Sequence, residues 1–254
     1  MSSRLVSAAA SSGSDAGMDE GPSSSQASCD VDTVGDALLQ WKMARMTEGG
    51  QSLDWGRYHL QVMFVDRYHM VRARLVEGLF TRIASWNGAG LALQPHSSGI
   101  DPAEGDSPPS RLLEEAGRLR IGQYIVTEPP TRFQRSDLDM HDMIVAVDIG
   151  VRDEIMRMVA DESPDEQSTY GHKVRLLMDF ANYGSASNLE DELAELMESA
   201  LPGARSSLEI ERPYMREWAA WRSMVAIMVL SCSGLVRFLL DQYPDDLPDY
   251  DPVD

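Results

Sequence analysis

Asp66 and Arg72 open and close a seven-residue loop between the apolar run "LQVMFV" and the helical stretch "ARLVEGLFTRIASW". Strand, short loop and helix in that order commonly cradle an anion, because loop N–H groups and the helix N-terminus converge on one point. Arg72 suits such a site, since its guanidinium presents a fork of donors to phosphate. Asp66 does not. Two like charges about 4 Å apart repel by roughly 4 kcal/mol at an effective dielectric of about 20. Three roles are open to Asp66. It can cap the helix that follows. It can be a built-in substitute for phosphate, paired with Arg72 and the helix N-terminus. It can be a phosphoryl nucleophile, but aspartyl-phosphate chemistry offsets the charge with Mg²⁺ and further carboxylates. Asp66 stands instead among Arg67, His69, Arg72 and Arg74.

Tyr68, Met70 and Val71 complete the loop, and Ala73 follows it. His69, His96, His141 and His172 lack the spacing of metal ligands and read as ordinary polar positions. No metal or other cofactor is implied.

The elements that must position this loop alternate along the chain. "LQVMFV" is a continuous apolar run but for Gln61, as expected of a strand covered on both faces of a parallel sheet. A helix at 73–86, a strand at 91–99 and a helix at 107–117 follow. Then come a strand at 141–148, the helix "VRDEIMRMVA", a strand at 173–178 and a long helix at about 215–242. This order predicts an α/β fold of three layers, a central four-stranded parallel sheet with helices on both faces. Residues 1–54 read as a mostly disordered extension with a short amphipathic helix at 33–46; the ordered domain spans 55–243, and 244–254 is an acidic disordered tail. An apparent helical insertion covers about 181–209. Within it, "NLEDELAELMESAL" (188–201) gathers Leu189, Leu193, Leu196, Met197 and Leu201 on one face, which suits a packed surface helix, a docking element or a lid.

Net charge is −19 at pH 7, and residues 241–254 hold six Asp without Lys or Arg. Such a chain repels nucleic acid and anionic membranes, so proteins are the expected partners. The stretch "SMVAIMVLSCSGLVRFLL" (223–240) reaches the lower length limit for a membrane span. A core helix suits it better. Val225, Met228, Val229, Cys232, Leu235, Val236 and Leu239 would then form one stripe, with Ser231 and Arg237 at its rim. Cys29 and Cys232 make no disulfide framework, which points to a reducing compartment. The cytoplasm is the default, with the Ser/Ala-rich start leaving organelle targeting, a plastid included, as the alternative.

Taken together, these segments resemble the low-molecular-weight protein tyrosine phosphatases. "VMFVDRYHMVRARLVEGLF" is similar to the family's first strand, its phosphate loop (Cys, five residues, Arg, Ser) and the following helix. "LALQPHSSGI", "DSPPSRLLEEAG", "SDLDMHDMIVAVD" and "KVRLLMDF" resemble later segments in the family's order, with Asp148 at the Asp that ends a strand. "ERPY" falls where the family has Asp-Pro-Tyr, and the likeness spans 58–242.

The resemblance implies thiolate attack on phosphorus, oxyanions held by the loop and its Arg, and an Asp that protonates the leaving group. It places Asp66 at the nucleophile, Arg72 at the retained Arg, Ala73 at the supporting Ser and Arg212 at the proton donor. Pro213 and Tyr214 are kept on the pocket rim. Thiol and acid are both replaced, which implies a pseudophosphatase serving as an interaction, regulatory or structural module and binding phosphate or sulfate weakly at best. The alternative is a working phosphatase-type hydrolase of phosphate monoesters that uses unusual residues.

Overall fold

The computed structural model describes residues 60–102, 107–125, 128–162, 170–184, 189, 191, 193–196, 198, 210 and 218–242. The expected helix at 33–46, the acidic tail, Arg212, Pro213 and Tyr214 lie outside these residues. By internal contacts the chain divides into residues 1–31 and 32–254, and every described residue belongs to the second unit.

Four parallel strands form one sheet in the order β2-β1-β3-β4: β1 Leu60–Asp66, β2 Leu93–Gly99, β3 Met143–Ala146 and β4 Val174–Leu176. The helices are α1 Arg72–Trp86, α2 Ser110–Arg118, α3 Asp137–Met140, α4 Ile149–Glu162 and α5 Trp218–Gln242. Strand side chains alternate between faces. Val62 and Phe64 look one way, where Phe64 meets Phe80 of α1 edge-on at 5.3 Å between ring centroids. Met63 and Val65 look the other way, into a cluster with Ile144, Ala146 and Val174 from the sheet and Val151, Ile155 and Val159 from α4. Both faces of β1 are therefore covered, which is why its sequence is apolar without alternation. The three layers expected from the sequence are present.

β2 is an edge strand. Pro95 is tolerated there, since among the described residues no strand pairs with the outer side of β2 at that position to receive its missing N–H. The strand starts at Leu93, not at 91, because Leu91 and Ala92 belong to the preceding turn. β3 and β4 are likewise shorter than the apolar runs that announce them.

α5 packs on α1 and on the turn at Leu177–Asn182. By length and composition Ala220–Asp241 would suffice to cross a membrane, yet 78% of that window is buried inside the fold. The seven-residue stripe from Val225 to Leu239 is buried as expected, and Arg237 lies outside it, paired with Asp241 at 2.9 Å. Ser231 departs from expectation. It is fully buried, because its hydroxyl finds Met178 Sδ at 3.5 Å across the packed turn.

In the stretch expected to form an insertion helix, residues 191, 193–196 and 198 are helical, and Leu193 is buried against the domain.

β1 lies at the point where the chain order reverses: its successor β2 is on one side and β3 on the other. Loops after β1 and after β3 therefore open into one crevice at the carboxyl ends of the strands, where α/β sheets place their ligand sites. Asp66 ends β1, and Asp148 lies two residues beyond β3.

Candidate active site

Asp66 is 3% exposed and its carboxylate occupies the centre of the loop. One oxygen accepts the N–H groups of Tyr68, at 3.0 Å, and His69, at 2.5 Å. The other accepts the N–H of Ala73, in the first turn of α1, at 3.1 Å. A carboxylate held this way satisfies donors that otherwise lie unpaired at the start of a helix. It does so without being the N-cap residue. That position is Val71, whose side chain makes no capping bond.

Arg72 is 4% exposed and is turned elsewhere. One terminal nitrogen pairs with an Asp148 carboxylate oxygen at 2.7 Å, and the other donates to the Ile210 carbonyl at 2.8 Å. The expectation that Arg72 pairs with Asp66 is corrected here. Asp66 is saturated by backbone donors at the loop floor, while Asp148 stands across the crevice and also receives the N–H of Val151 at the start of α4. Asp148 thus joins the first turn of α4 to Arg72. Sequence alone places Asp148 at the end of a strand, and the structure adds this role.

Arg74, in the first turn of α1, is fully buried, donating to the carbonyls of His69 at 2.8 Å and Glu128 at 2.7 Å. His69 is also unlike its expected ordinary polar position. It is 2% exposed with φ 54°, in the left-handed region. Its ring spans Ser97 Oγ, 2.8 Å from Nε2, and the Thr131 N–H, 2.8 Å from Nδ1. Ser97 in turn donates to the Glu77 carboxyl. The loop rests directly on the end of β2: a Cβ added to Gly99 would come within 2.7 Å of His69 N. Small size at residue 99 is therefore a condition of the loop's position.

The remaining loop residues differ in exposure. Tyr68 projects outward, 44% exposed, while Arg67, Met70 and Val71 are half-buried and Ala73 is buried. Cys232, the one cysteine among the described residues, is fully buried in α5, and burial pushes its thiol up, away from thiolate chemistry. Among the described residues no group of three or more His, Cys, Asp or Glu is placed to hold a metal ion.

The model of the low molecular weight phosphotyrosine protein phosphatases matches residues 61–195, more than half of the chain. The chain belongs to that family. A tyrosine phosphatase of Entamoeba histolytica, solved with Hepes in its active site, superposes with a TM-score of 0.53 at 18% identity, covering 72% of this chain and 97% of that one. A low molecular weight phosphotyrosine phosphatase of Vibrio cholerae gives 0.53 at 18% identity, with 72% and 98% covered. A mutant of YwlE from Bacillus subtilis gives 0.52 at 13% identity, with 71% and 99% covered. At these identities the likeness is one of fold. No curated relative matches the sequence significantly.

Proposed function

We propose that this phosphatase-fold domain is a pseudophosphatase, a protein-binding regulatory or structural module in which Asp66 stands in for bound phosphate. One observation carries the reading: the Asp66 carboxylate accepts the N–H groups of Tyr68, His69 and Ala73. An acceptor that fills the cradle leaves a phosphoryl group neither its donors nor a neutral floor. Two sequence facts support it. A carboxylate replaces the thiol that the family uses to attack phosphorus, and Arg212 stands where the proton donor is expected. The retained Arg72 is kept by Asp148 and the Ile210 carbonyl, a structural task independent of substrate.

The test is turnover. Purified full-length protein is expected to hydrolyse p-nitrophenyl phosphate and phosphotyrosine peptides no faster than buffer, with or without Mg²⁺. Reproducible hydrolysis that disappears in Asp66→Asn would overturn the proposal and favour an aspartate nucleophile.

A further inference from the structure

Behind the loop lies a cavity of about 480 Å³, and His69, Ser97, Glu77 and Thr131 share its wall. These four residues come from the loop, β2, α1 and the 128–131 segment, so their hydrogen bonds tie four parts of the fold together. One donor sets the direction of the whole chain. A backbone N–H can only donate, so the Thr131 N–H at 2.8 Å requires a bare lone pair on His69 Nδ1. The Thr131 hydroxyl, at 3.1 Å, reaches the same atom. The ring proton therefore sits on Nε2 and is given to Ser97 Oγ, which gives its own proton to Glu77. An imidazolium would set an N–H against the Thr131 N–H. The geometry excludes the charged ring as long as this anchor holds.

Glu77 is 8% exposed. The charged and titratable groups around it are Arg74 on its own helix, His69 of the loop, His96 on β2, Glu128 beside Thr131, and Asp137 and His141 of the α3 segment, while Asp66 acts on Arg74 from the end of β1. We infer that folding transfers one proton within this chain, from the imidazole of His69 to the carboxyl of Glu77, making the pair a single charge-compensated anchor for the loop.

The Thr131 N–H fixes the neutral His69, and burial of the carboxyl supplies the Glu77 half of the exchange. Burial pushes Glu77 up to about 7, opposed by the Ser97 hydroxyl and Arg74. Burial, assisted by Arg74, pushes His69 down to about 3. Glu77 alone would stabilise the fold at low pH and lose that contribution as pH rises from 4.5 towards 7. His69 alone would do the opposite, losing stability as pH falls from 6.5 towards 3. Between pH 4.5 and 6.5 the unfolded chain carries Glu77 and His69 both charged, and the folded chain carries both neutral. Each state then holds one proton on the pair, and the two slopes cancel.

The test compares full-length wild type, Glu77→Gln and His69→Asn by urea unfolding across that window. Asn is chosen because it tolerates a left-handed backbone. Relative to wild type, Glu77→Gln is expected to lose about tenfold in its folding equilibrium constant for each unit that pH falls. His69→Asn is expected to gain about tenfold per unit over the same range. Variants that run parallel to wild type would overturn the inference. A second measurement needs no variant. Side-chain NMR of wild type should find His69 neutral with Nδ1 unprotonated across the window, and Glu77 titrating near neutrality. A His69 that titrates at its ordinary value, or a Glu77 that does, would overturn the inference whatever the phosphatase assays show.

Discussion

Replacing Asp66 by Ala removes the acceptor that serves three backbone N–H groups at once, those of Tyr68, His69 and Ala73. The site is buried, and the same carboxylate lies close enough to Arg74 to favour its charged form. Each buried donor left unpaired costs about 1–3 kcal/mol, and water entering the vacated volume recovers part of that for some of them. A net loss of about 2–4 kcal/mol is the expected balance, which lowers the melting temperature by roughly 5–15 °C in a domain of this size. The vacated cradle now has donors without an anion. Phosphate or sulfate added at about a hundred times its dissociation constant should return about 2.7 kcal/mol by mass action. The assay is a thermal scan of wild type and Asp66→Ala in an anion-poor buffer, repeated with phosphate and with chloride at matched ionic strength. Asp66→Ala should melt low and recover selectively with phosphate, while wild type responds little. Equal stabilisation of both proteins by phosphate would refute the reasoning, because a cradle already filled by Asp66 has no room for a second anion.

Gly234→Ala should lower stability by at least about 1–3 kcal/mol in urea unfolding, because the added Cβ would meet Phe180 O at 1.9 Å and force α5 off the turn at 177–182. If the domain is an interaction module, the acidic tail and the charged residues of the 188–201 stretch are the expected contact points. Deleting 244–254 or reversing the charge of the exposed Glu198 (Glu198→Lys) should weaken recovery of partners from native extract at unchanged melting temperature, and undiminished recovery by both variants would count against it. The apolar face of this stretch is unsuitable for that test, since Leu193 is buried and Leu196 lines a cavity with Val225 of α5.

Much of the fold was legible because its strands and helices bury opposite kinds of pattern. β1 is apolar at every position from Val62 to Val65, which suits a strand covered on both faces, and the surrounding helices repeat at helical spacing. Strand ends were less legible. The apolar run outlasts the ladder at "HDMIVAVD", where only Met143–Ala146 pair as strand and the chain then turns into the α4 cap. Leu91 and Ala92 also look like strand, but they close the turn from α1 to β2.

The site divides along the same physical line. Asp66 could be marked from sequence because its effect is local: a carboxylate at the end of a strand, a few residues before a helix, can only look back at the N–H groups in between. Arg72 has a long side chain, and its partner was set by topology. The reversal of strand order between β1 and β3 brings Asp148 across the crevice, and sequence separation gives no hint of that pairing. The role of His69 is hidden from the sequence for a related reason. Its left-handed backbone points the N–H at Asp66 and leaves the ring directed at Ser97 and Thr131, 28 and 62 residues away. The one signal within reach was Glu77, an acid on the inward face of α1 among Val76, Leu79 and Phe80. A buried carboxyl needs a hydrogen-bond partner or a proton, and asking which one Glu77 has leads through Ser97 to His69. The loop is therefore held from two sides by unlike means, with an ionic acceptor in its centre and a neutral hydrogen-bonded chain behind it. Removing Asp66 should loosen the first without altering the tautomer of His69, which separates the two anchors experimentally.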